Sequence, residues 1–341
     1  MVPHAINGDD KETTVRIGFC VPMNDVWTKA VDGLQRDVGP GIEIIRGVDA
    51  SLAAFGTLDA VVANILDRSI YEAAPGLKAV FVPFVGVNHL PADLLIQRGV
   101  SVFNCHGNAE SVAERALALA LAGFGRIIEY HNDLRNLKWH GFWVNKGRED
   151  FWHSIFHKRC TILGVGAIGE MLAKLLKAFE CTVTGYRRRS GAPAPQYFDS
   201  VTTDLHEAVS GADIVFITLP LTDATKGLVG AVELKAMRGA FLVNVGRGDV
   251  VDEAALYAAL KDGTLSGAGI DVWYQYPKDG SIQGAPSHFP IHELPNVMLS
   301  PHVAGSTYEA VDMNTAQTVE NVARWIQTGD AAHRVDLKAS Y

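Results

Sequence analysis

Residues 160–179 read CTILGVGAIGEMLAKLLKAF. The stretch starts with residues typical of a buried strand, passes three glycines and continues with apolar residues three and four positions apart. That spacing places the apolar residues on one face of a helix, and they are Ile168, Met171, Leu172, Leu175, Leu176 and Phe179. A buried strand that turns directly into an amphipathic helix is typical of a βαβ unit. The stretch therefore predicts an α/β fold with a parallel sheet.

The three glycines of this turn form the pattern GxGxxG. Glycines in this context permit a tight turn and let the backbone approach a pyrophosphate, whose charge then faces the helix N-terminus. The sequence therefore predicts a dinucleotide site, and a purely structural glycine turn is the alternative. The residues expected at that site are Gly164, Gly166, Ala167, Ile168 and Gly169.

The end of the next strand bears on which dinucleotide is bound. Chains that bind NAD usually carry an acid about 20 residues after the glycines, where it hydrogen-bonds the ribose 2′-hydroxyl. Here residues 186–190 read YRRRS and contain no acid. Arg187 and Arg188 suit a 2′-phosphate, because guanidinium groups form bidentate, charge-assisted bonds to phosphate. NADP(H) is therefore the favoured cofactor, with a solvated basic loop and bound NAD(H) as the alternative.

Composition excludes several classes of protein. The 341 residues, enough for about two domains, include 30 Lys plus Arg and 38 Asp plus Glu, a formal net charge of −8 at pH 7. That charge argues against nucleic acid or an anionic membrane as a partner. We see neither an apolar stretch of membrane-helix length nor a signal core. The four cysteines show no metal-ligand or disulfide spacing. We expect a cytoplasmic protein without a metal site.

Strand-like apolar runs alternate with helical patterns along most of the chain. Four early runs lie at residues 15–20, 60–63, 79–82 and 100–103. Six later runs lie at residues 160–163, 181–186, 214–219, 241–245, 267–272 and 297–299. Six strands joined by crossover helices are typical of a doubly wound dinucleotide-binding domain.

Two long helical patterns separate the domains that we predict. One covers residues 108–126, and the other, at about residues 307–325, is expected to return to the first domain. We predict two doubly wound parallel-sheet domains of the α/β class. A Rossmann cofactor domain of residues 105–306 is inserted into a flavodoxin-like substrate domain of residues 1–104 and 307–341.

Three strand ends in the second region carry reactive side chains. Ligands bind at the carboxyl ends of strands in open parallel sheets, and Arg247, Asp271 and His302 follow such runs. His302 suits a proton donor to a carbonyl oxygen, since its ordinary pKa is about 6.5. Arg247 has a planar fork that matches a carboxylate. Taken singly, a surface Arg, a capping Asp and a hydrogen-bonded loop His are the alternatives.

These residues resemble the D-isomer-specific 2-hydroxyacid dehydrogenase family, and the resemblance covers most of the chain. The segments that carry it are NAESVAE at 108–114, the glycine turn, LPLT at 219–222, NVGRG at 244–248, DV at 271–272 and SPH at 300–302. The resemblance, which is to glyoxylate/hydroxypyruvate reductases in particular, implies hydride transfer between a nicotinamide and a small 2-oxo or 2-hydroxy acid. It also implies a homodimer built on the cofactor domains.

The resemblance further implies a role for each residue. Arg247 would bind the 2-oxo acid, His302 would be the acid/base, and Asp271 would contact the nicotinamide amide. The substrate would also contact Val85, Gly86, Val87 and Asn108, of which the first three lie in a loop that presents backbone N–H groups to the carboxylate; a plain strand-to-helix turn is the alternative. The further cofactor contacts implied are Val112, Leu219, Pro220, Thr225, Val245, Gly246 and Ala304.

One position departs from the family pattern. The family usually has Glu just before the Pro that follows the Asp271 strand, and that Glu pairs with the His. Here Tyr276 precedes Pro277, and a neutral phenol does not favour an imidazolium as a carboxylate does. We therefore expect His302 to titrate lower than in relatives and ketone reduction to weaken above about pH 7. Glu293, in a later loop, is a possible substitute.

Two other functions stay open at this point. The formate dehydrogenase branch of the superfamily also lacks that Glu, and Asn108 and residues 271–273 are similar to it. A dinucleotide-sensing scaffold, like the C-terminal-binding corepressors, shares the fold and would bind cofactor without turnover. Intact Arg247 and His302 argue against the scaffold.

An aromatic segment at residues 131–157 has weak periodicity and is interpreted as an excursion between folding units, or an arm. Its aromatic and imidazole side chains are Trp139, His140, Phe142, Trp143, Trp152 and His153. Aromatic residues dominate interface energetics, so these are expected to form interface core. The alternative is that one of them reaches the substrate pocket of a partner subunit.

Overall fold

The computed structural model describes residues 14–47, 55–191, 193–278 and 280–338. The chain divides into two compact units. The first comprises the described residues of Met1–Asn108 and Tyr308–Tyr341, and the second is Ala109–Thr307. Each unit contains one parallel sheet with helices, so the predicted fold class is confirmed.

The first unit has a parallel sheet with strand order β2-β1-β3-β4-β5, the flavodoxin-like order. Its strands are β1 (Val15–Cys20), β2 (Ile42–Arg46), β3 (Ala60–Ala63), β4 (Ala79–Phe81) and β5 (Ser101–Phe103). The prediction of four strands in this region was wrong, because it missed β2. This edge strand reads IEIIR and is partly exposed. Its Glu43 carboxylate pairs with Arg16 on β1 at 2.8 Å, and charged edge strands lack the apolar pattern of central ones.

Helices cover the sheet of the first unit. They are α1 (Asp25–Asp37), α2 (Arg68–Glu72), α3 (Ala92–Arg98) and the last helix (Tyr308–Thr328). Asn24 caps α1 by accepting a hydrogen bond from the Trp27 N–H at 3.0 Å. Trp27, Phe81 and Val322 belong to one buried apolar cluster, so the last helix packs into the core of the first unit.

The second unit has a seven-stranded parallel sheet with strand order β12-β11-β10-β9-β6-β7-β8. Its strands are β6 (Arg159–Leu163), β7 (Thr182–Tyr186), β8 (Ser200–Thr202), β9 (Ile214–Ile217), β10 (Phe241–Asn244), β11 (Gly267–Ile270) and β12 (Val297–Leu299). The chain order reverses between β6 and β9, which is the switch point of a Rossmann fold. The prediction of six strands was wrong by one, since β8 is a short, partly exposed edge strand.

Two apolar layers enclose this sheet. On β9, Val215 and Ile217 face one buried cluster and Ile214 and Phe216 face the other, as the period of two in a strand requires. The helices are α4 (Ala109–Phe124), α5 (Ile127–Arg135), α6 (Ala167–Lys177), α7 (Leu205–Val209), α8 (Ala231–Ala236) and α9 (Glu253–Lys261). No helix in the described part of the chain is both long and apolar enough to span a membrane.

The aromatic segment contains more regular structure than the sequence predicted. It includes most of α5, followed by short 3₁₀ turns at Gly141–Val144 and Arg148–Asp150. No residue of α5 is buried, so the helix lacks the apolar face from which helices are predicted.

A buried hydroxyl provides a test of the packing in the second unit. Thr161, on β6, donates a hydrogen bond to the Ala208 carbonyl on α7 at 2.6 Å. The variant Thr161→Val keeps the shape but leaves that carbonyl without this donor. We expect the free energy of unfolding to fall by about 1–3 kcal/mol, measured by urea unfolding. The matched control is Thr184→Val on β7, whose hydroxyl is partly exposed; equal losses in both variants would contradict the assignment.

Candidate active site

The carboxyl ends of the strands in the second unit lie along one edge of its sheet, because all the strands are parallel. The glycine turn follows β6 and Leu219 follows β9. Arg247 follows β10, Asp271 follows β11 and His302 follows β12. The structure therefore brings these predicted residues to a common edge. The predicted residues Val85, Gly86, Val87 and Asn108 belong to the first unit.

Each glycine of the turn meets a different requirement. Gly164 has a φ of +116°, a conformation that L side chains rarely adopt. A Cβ at Gly169 would lie 2.1 Å from the Gly164 carbonyl oxygen, so only glycine lets α6 pack against the turn. A Cβ at Gly166, in contrast, would meet no atom within 4 Å.

The space beside Gly166 fits a phosphate group. Gly166 is the N-cap of α6, and no side chain caps that end of the helix. The N-terminus of a helix favours negative charge through its N–H groups and its dipole. Ala167 and Ile168 form the first turn of α6, so the residues present suit the pyrophosphate of a dinucleotide.

The two predicted arginines lie at the carboxyl end of β7, which is next to β6 in the sheet. The Arg187 N–H donates to the Thr202 carbonyl at 3.1 Å, and its guanidinium donates to the Pro193 carbonyl at 3.2 Å. The Arg188 side chain is exposed. This position corresponds to the ribose end of a dinucleotide bound at the glycine turn.

The loop after β9 is held by its own hydrogen bonds. The Thr225 hydroxyl donates to the Pro220 carbonyl at 2.6 Å and accepts from the Thr222 N–H at 2.8 Å. Thr225 thus shapes the loop that presents Leu219 and Pro220. A Cβ at Gly246 would lie 2.6 Å from the Leu219 carbonyl oxygen, so the ends of β9 and β10 can come this close only because Gly246 lacks a side chain.

Three further residues of the predicted cofactor site share one apolar cluster. Val112 on α4, Val245 after β10 and Ala304 after β12 are all buried in it. They come from three distant parts of the sequence. The structure therefore buries all three in one core of the second unit.

Asp271 anchors the loop that carries His302. Its buried carboxylate accepts from the Ser300 hydroxyl at 2.5 Å, the Val303 N–H at 3.0 Å and the Ala304 N–H at 3.1 Å. A carboxylate can accept about four hydrogen bonds, which leaves capacity for about one more. His302 lies within this loop at a φ of +58°, a region in which His occurs more often than most residues.

Arg247 places a positive charge in a partly buried position. Its guanidinium donates to the Gly246 carbonyl at 2.7 Å, which orients the fork. Burial lowers the pKa of Arg247 and the nearby Tyr276 raises it, although the group stays protonated at any physiological pH. Among the described residues no carboxylate forms an ion pair with it, so the cation can bind an anionic ligand.

Tyr276 lies against His302. Their ring centroids are 5.4 Å apart at an interplanar angle of 47°. The Tyr276 hydroxyl accepts a hydrogen bond from the Trp273 N–H at 3.1 Å, so the ring is held against the segment that follows β11. No carboxylate within the described ranges contacts the His302 imidazole. Glu293 contacts the His292 ring at 3.8 Å and forms no ion pair with His302 in the described part of the chain.

The surroundings of His302 disfavour its charged form. Partial burial lowers the pKa of His302, Asp271 raises it and Arg247 lowers it further. Burial raises the pKa of Tyr276, so the phenol is neutral at physiological pH. Arg247 lowers the pKa of both His302 and Tyr276, and Asp271 raises both.

The predicted substrate loop of the first unit follows β4. The buried Asn104 side chain donates to the Val85 carbonyl at 2.8 Å and holds the loop. Val87 is buried and anchors the other side. The Asn108 side-chain oxygen is buried and has no hydrogen-bond partner within the described residues. Such an oxygen is costly unless a ligand or water satisfies it.

The sequence analysis missed the residues that position the reactive groups. Ser300 donates to Asp271, and the Trp273 indole N–H donates to the Ser300 carbonyl at 2.8 Å. Asn104 was missed in the same way. Ser300 and Asn104 immediately follow strands, and Trp273 lies three residues after one. Their position at strand ends is the only sequence signal that could have indicated this role.

The chain is similar in sequence to known proteins. The family model described as D-isomer specific 2-hydroxyacid dehydrogenase, NAD binding domain, matches residues 117–304. Glyoxylate/hydroxypyruvate reductase B of Yersinia enterocolitica is 34% identical over 294 residues, 85% of each chain. The protein of the same name from Pectobacterium carotovorum is 35% identical over 262 residues, 75% of this chain and 78% of the relative.

Solved structures agree with these sequence relatives. The NADPH-dependent glyoxylate/hydroxypyruvate reductase of Sinorhizobium meliloti, in complex with NADP and malonate, superposes with a TM-score of 0.75 at 26% identity. The alignment covers 96% of this chain and 98% of that chain. The resemblance predicted from the sequence is therefore confirmed, and the chain belongs to the D-isomer-specific 2-hydroxyacid dehydrogenase family.

Proposed function

We propose that this protein is an NADPH-preferring reductase that converts a small 2-oxo acid to the D-2-hydroxy acid. Glyoxylate and hydroxypyruvate are the first candidate substrates, since similar proteins carry those names. The observation that carries the proposal is the sheet edge at which a glycine turn, a cation and an imidazole meet. Hydride transfer to a 2-oxo acid requires those three elements.

Each group at the edge has a task in the reaction. When bound, the nicotinamide cofactor supplies a hydride to the carbonyl carbon. Arg247 binds the substrate carboxylate and polarises the carbonyl through its planar fork. His302 donates its ring proton to the carbonyl oxygen, which becomes the hydroxyl of the product. His302 leaves the step as a neutral imidazole and regains a proton from solvent.

Further residues position His302 and bind the ligands. Asp271 holds the loop of His302 through the Ser300, Val303 and Ala304 donors. Its remaining acceptor capacity suits the amide of a nicotinamide. Within the first unit, we propose that the loop at residues 85–87 and the buried, unsatisfied side-chain oxygen of Asn108 serve substrate binding.

The coenzyme preference rests on Arg187 and Arg188. Both follow β7, where an acid would select NAD, and guanidinium binds a 2′-phosphate through charge-assisted hydrogen bonds. The NADPH dependence of the Sinorhizobium meliloti reductase supports the same preference. NAD(H) is the second coenzyme to test.

We propose that the protein works as a homodimer in the cytoplasm. Large apolar side chains between residues 127 and 156 are exposed, with Trp143 at 76% and Phe142 at 70%. The others are Ile127, Ile128, Leu134, Leu137, Trp139, Val144, Phe151, Trp152 and Phe156. So many exposed apolar side chains within one segment favour an interaction site. The cysteines of the described residues form no disulfide, which suits a reducing compartment.

The direct test is a set of initial rates of NADPH and NADH oxidation with a panel of 2-oxo acids. We expect turnover with glyoxylate or hydroxypyruvate, with kcat/KM for NADPH about tenfold or more above that for NADH, the effect of one charge-assisted bond. His302→Ala should lose about 10²- to 10⁴-fold in kcat. Formate-driven reduction of NAD⁺ would support a formate dehydrogenase instead, and coenzyme binding without turnover would support a scaffold.

The glycine turn yields a matched pair of variants. Gly166→Ala places a methyl group in the space assigned to phosphate, where it meets no protein atom within 4 Å. We expect normal urea unfolding and a rise of about tenfold or more in the Kd for NADPH, measured by fluorescence titration. Gly169→Ala collides with the Gly164 carbonyl and should instead lower the free energy of unfolding by about 1–3 kcal/mol. Reversed effects would contradict the assignment.

The pH dependence tests the role of Tyr276. Reduction needs the protonated imidazole, and the pKa of His302 is lowered, so kcat/KM should fall with rising pH around a midpoint below about 6.5. Tyr276→Glu adds a carboxylate near the ring and should move the midpoint upward by about one unit or more. Tyr276→Phe, the neutral control, should leave it in place. A profile that stays flat to pH 9 in the native protein would refute this role.

A further inference from the structure

His140 is held between two carboxylates in the aromatic segment. Its Nδ1 lies 2.8 Å from an Asp150 carboxylate oxygen, and its Nε2 lies 2.8 Å from an Asp133 carboxylate oxygen. The His140 side chain is only 14% exposed. This cluster lies outside the residues assigned to the reaction, and nothing in the proposed chemistry uses it.

Only one protonation state of His140 satisfies this geometry. A neutral imidazole has one N–H donor and one lone pair, so one ring nitrogen would point a lone pair at a carboxylate oxygen. The imidazolium donates from both nitrogens. The hydrogen bonds to Asp150 and Asp133 accordingly raise the pKa of His140, against the effect of burial.

The charges around His140 balance when it is protonated. Arg126 pairs with Glu129 at 2.5 Å and lies 3.8 Å from Asp150, and Lys138 pairs with Asp133 at 2.7 Å. Three cations, Arg126, Lys138 and His140, thus face three carboxylates, those of Glu129, Asp133 and Asp150. Loss of the proton leaves one excess negative charge among closely spaced groups.

The cluster joins parts of the segment that have little apolar packing of their own. Asp133 lies on α5, Asp150 ends the second 3₁₀ turn, and His140 precedes the first one. The Gly141 N–H donates to Asp150 at 2.7 Å, and the Tyr130 hydroxyl donates to the Asp150 carbonyl. The Tyr130 and His140 ring centroids are 4.6 Å apart. These contacts determine the conformation of Gly141–Val144, which carries the exposed Phe142 and Trp143.

We propose that His140 is a protonation-dependent latch, which holds residues 126–150 in the conformation that presents Phe142 and Trp143 to a second copy of the chain. The folded-state pKa is raised, so the latch is complete below the ordinary imidazole value of about 6.5 and is lost as pH rises through the raised value. The presentation of Phe142 and Trp143 to a second copy rests on the homodimer of the proposed function. The protonation-dependent latch does not depend on that homodimer.

Hydrogen exchange of the full-length protein tests the latch directly. We expect the protection factor of amides at residues 139–150, corrected for intrinsic exchange, to fall by about tenfold per unit of pKa shift as pH rises from 6 to 9. His140→Gln should show low protection at every pH. The matched control is His131→Gln, since His131 is exposed on α5. This variant should keep the native dependence of protection on pH.

A second variant separates the proton from the hydrogen bonds. In Asp150→Asn, the new amide can donate to a neutral His140 and still accept from Gly141. We expect protection to be retained with little dependence on pH. Native protection that does not change with pH, or an unchanged dependence in His140→Gln, would overturn the latch.

Sedimentation velocity then tests its consequence. We expect the dimer of the native protein to weaken at alkaline pH and that of Asp150→Asn to change little. A pH-dependent latch in a protein that stays monomeric at pH 6 would refute the proposed dimer and leave the latch standing. A dimer of constant affinity alongside pH-dependent protection would overturn the link between the two.

Discussion

The buried carboxylate of Asp271 is the constraint on which the site depends. A buried charge is costly unless it is hydrogen-bonded, and here the Ser300 hydroxyl and two backbone N–H groups satisfy it. Those donors belong to the loop after β12, so the charge determines the path of that loop. Because His302 lies within it at a left-handed φ, the carboxylate also determines where the imidazole can lie. The imidazole is thus positioned by a residue that follows the neighbouring strand.

The electrostatics around that imidazole follow from what is packed against it. Tyr276 packs against the ring and carries no charge that would stabilise an imidazolium. Arg247, held by its own bond to the Gly246 carbonyl, adds positive potential. Both effects favour the neutral imidazole. The opposite case occurs at His140, where hydrogen bonds to two carboxylates favour the imidazolium.

Much of the fold could be predicted because central strands and amphipathic helices carry strong local patterns. The run at residues 214–217 is buried throughout. In the helix at 167–177, Leu172 and Leu176 of the predicted face are buried, and Ile168, Met171 and Leu175 pack partly buried against the same cluster. The edge strands β2 and β8 and the exposed helix α5 were missed for one physical reason. They bury little apolar surface, so their sequences need no regular apolar spacing.

The sequence by itself determined the dinucleotide turn, the polar side chains at the strand ends and the family. Those features depend on local requirements: a φ that only glycine tolerates, and side chains placed directly after strands. Tertiary structure alone decided the partners of those residues. Asp271 and Ser300 are 29 positions apart, and Val112 meets Ala304 in one cluster only after the sheet has formed. Strand order and register arise from pairing between distant segments, and a local pattern does not contain that information.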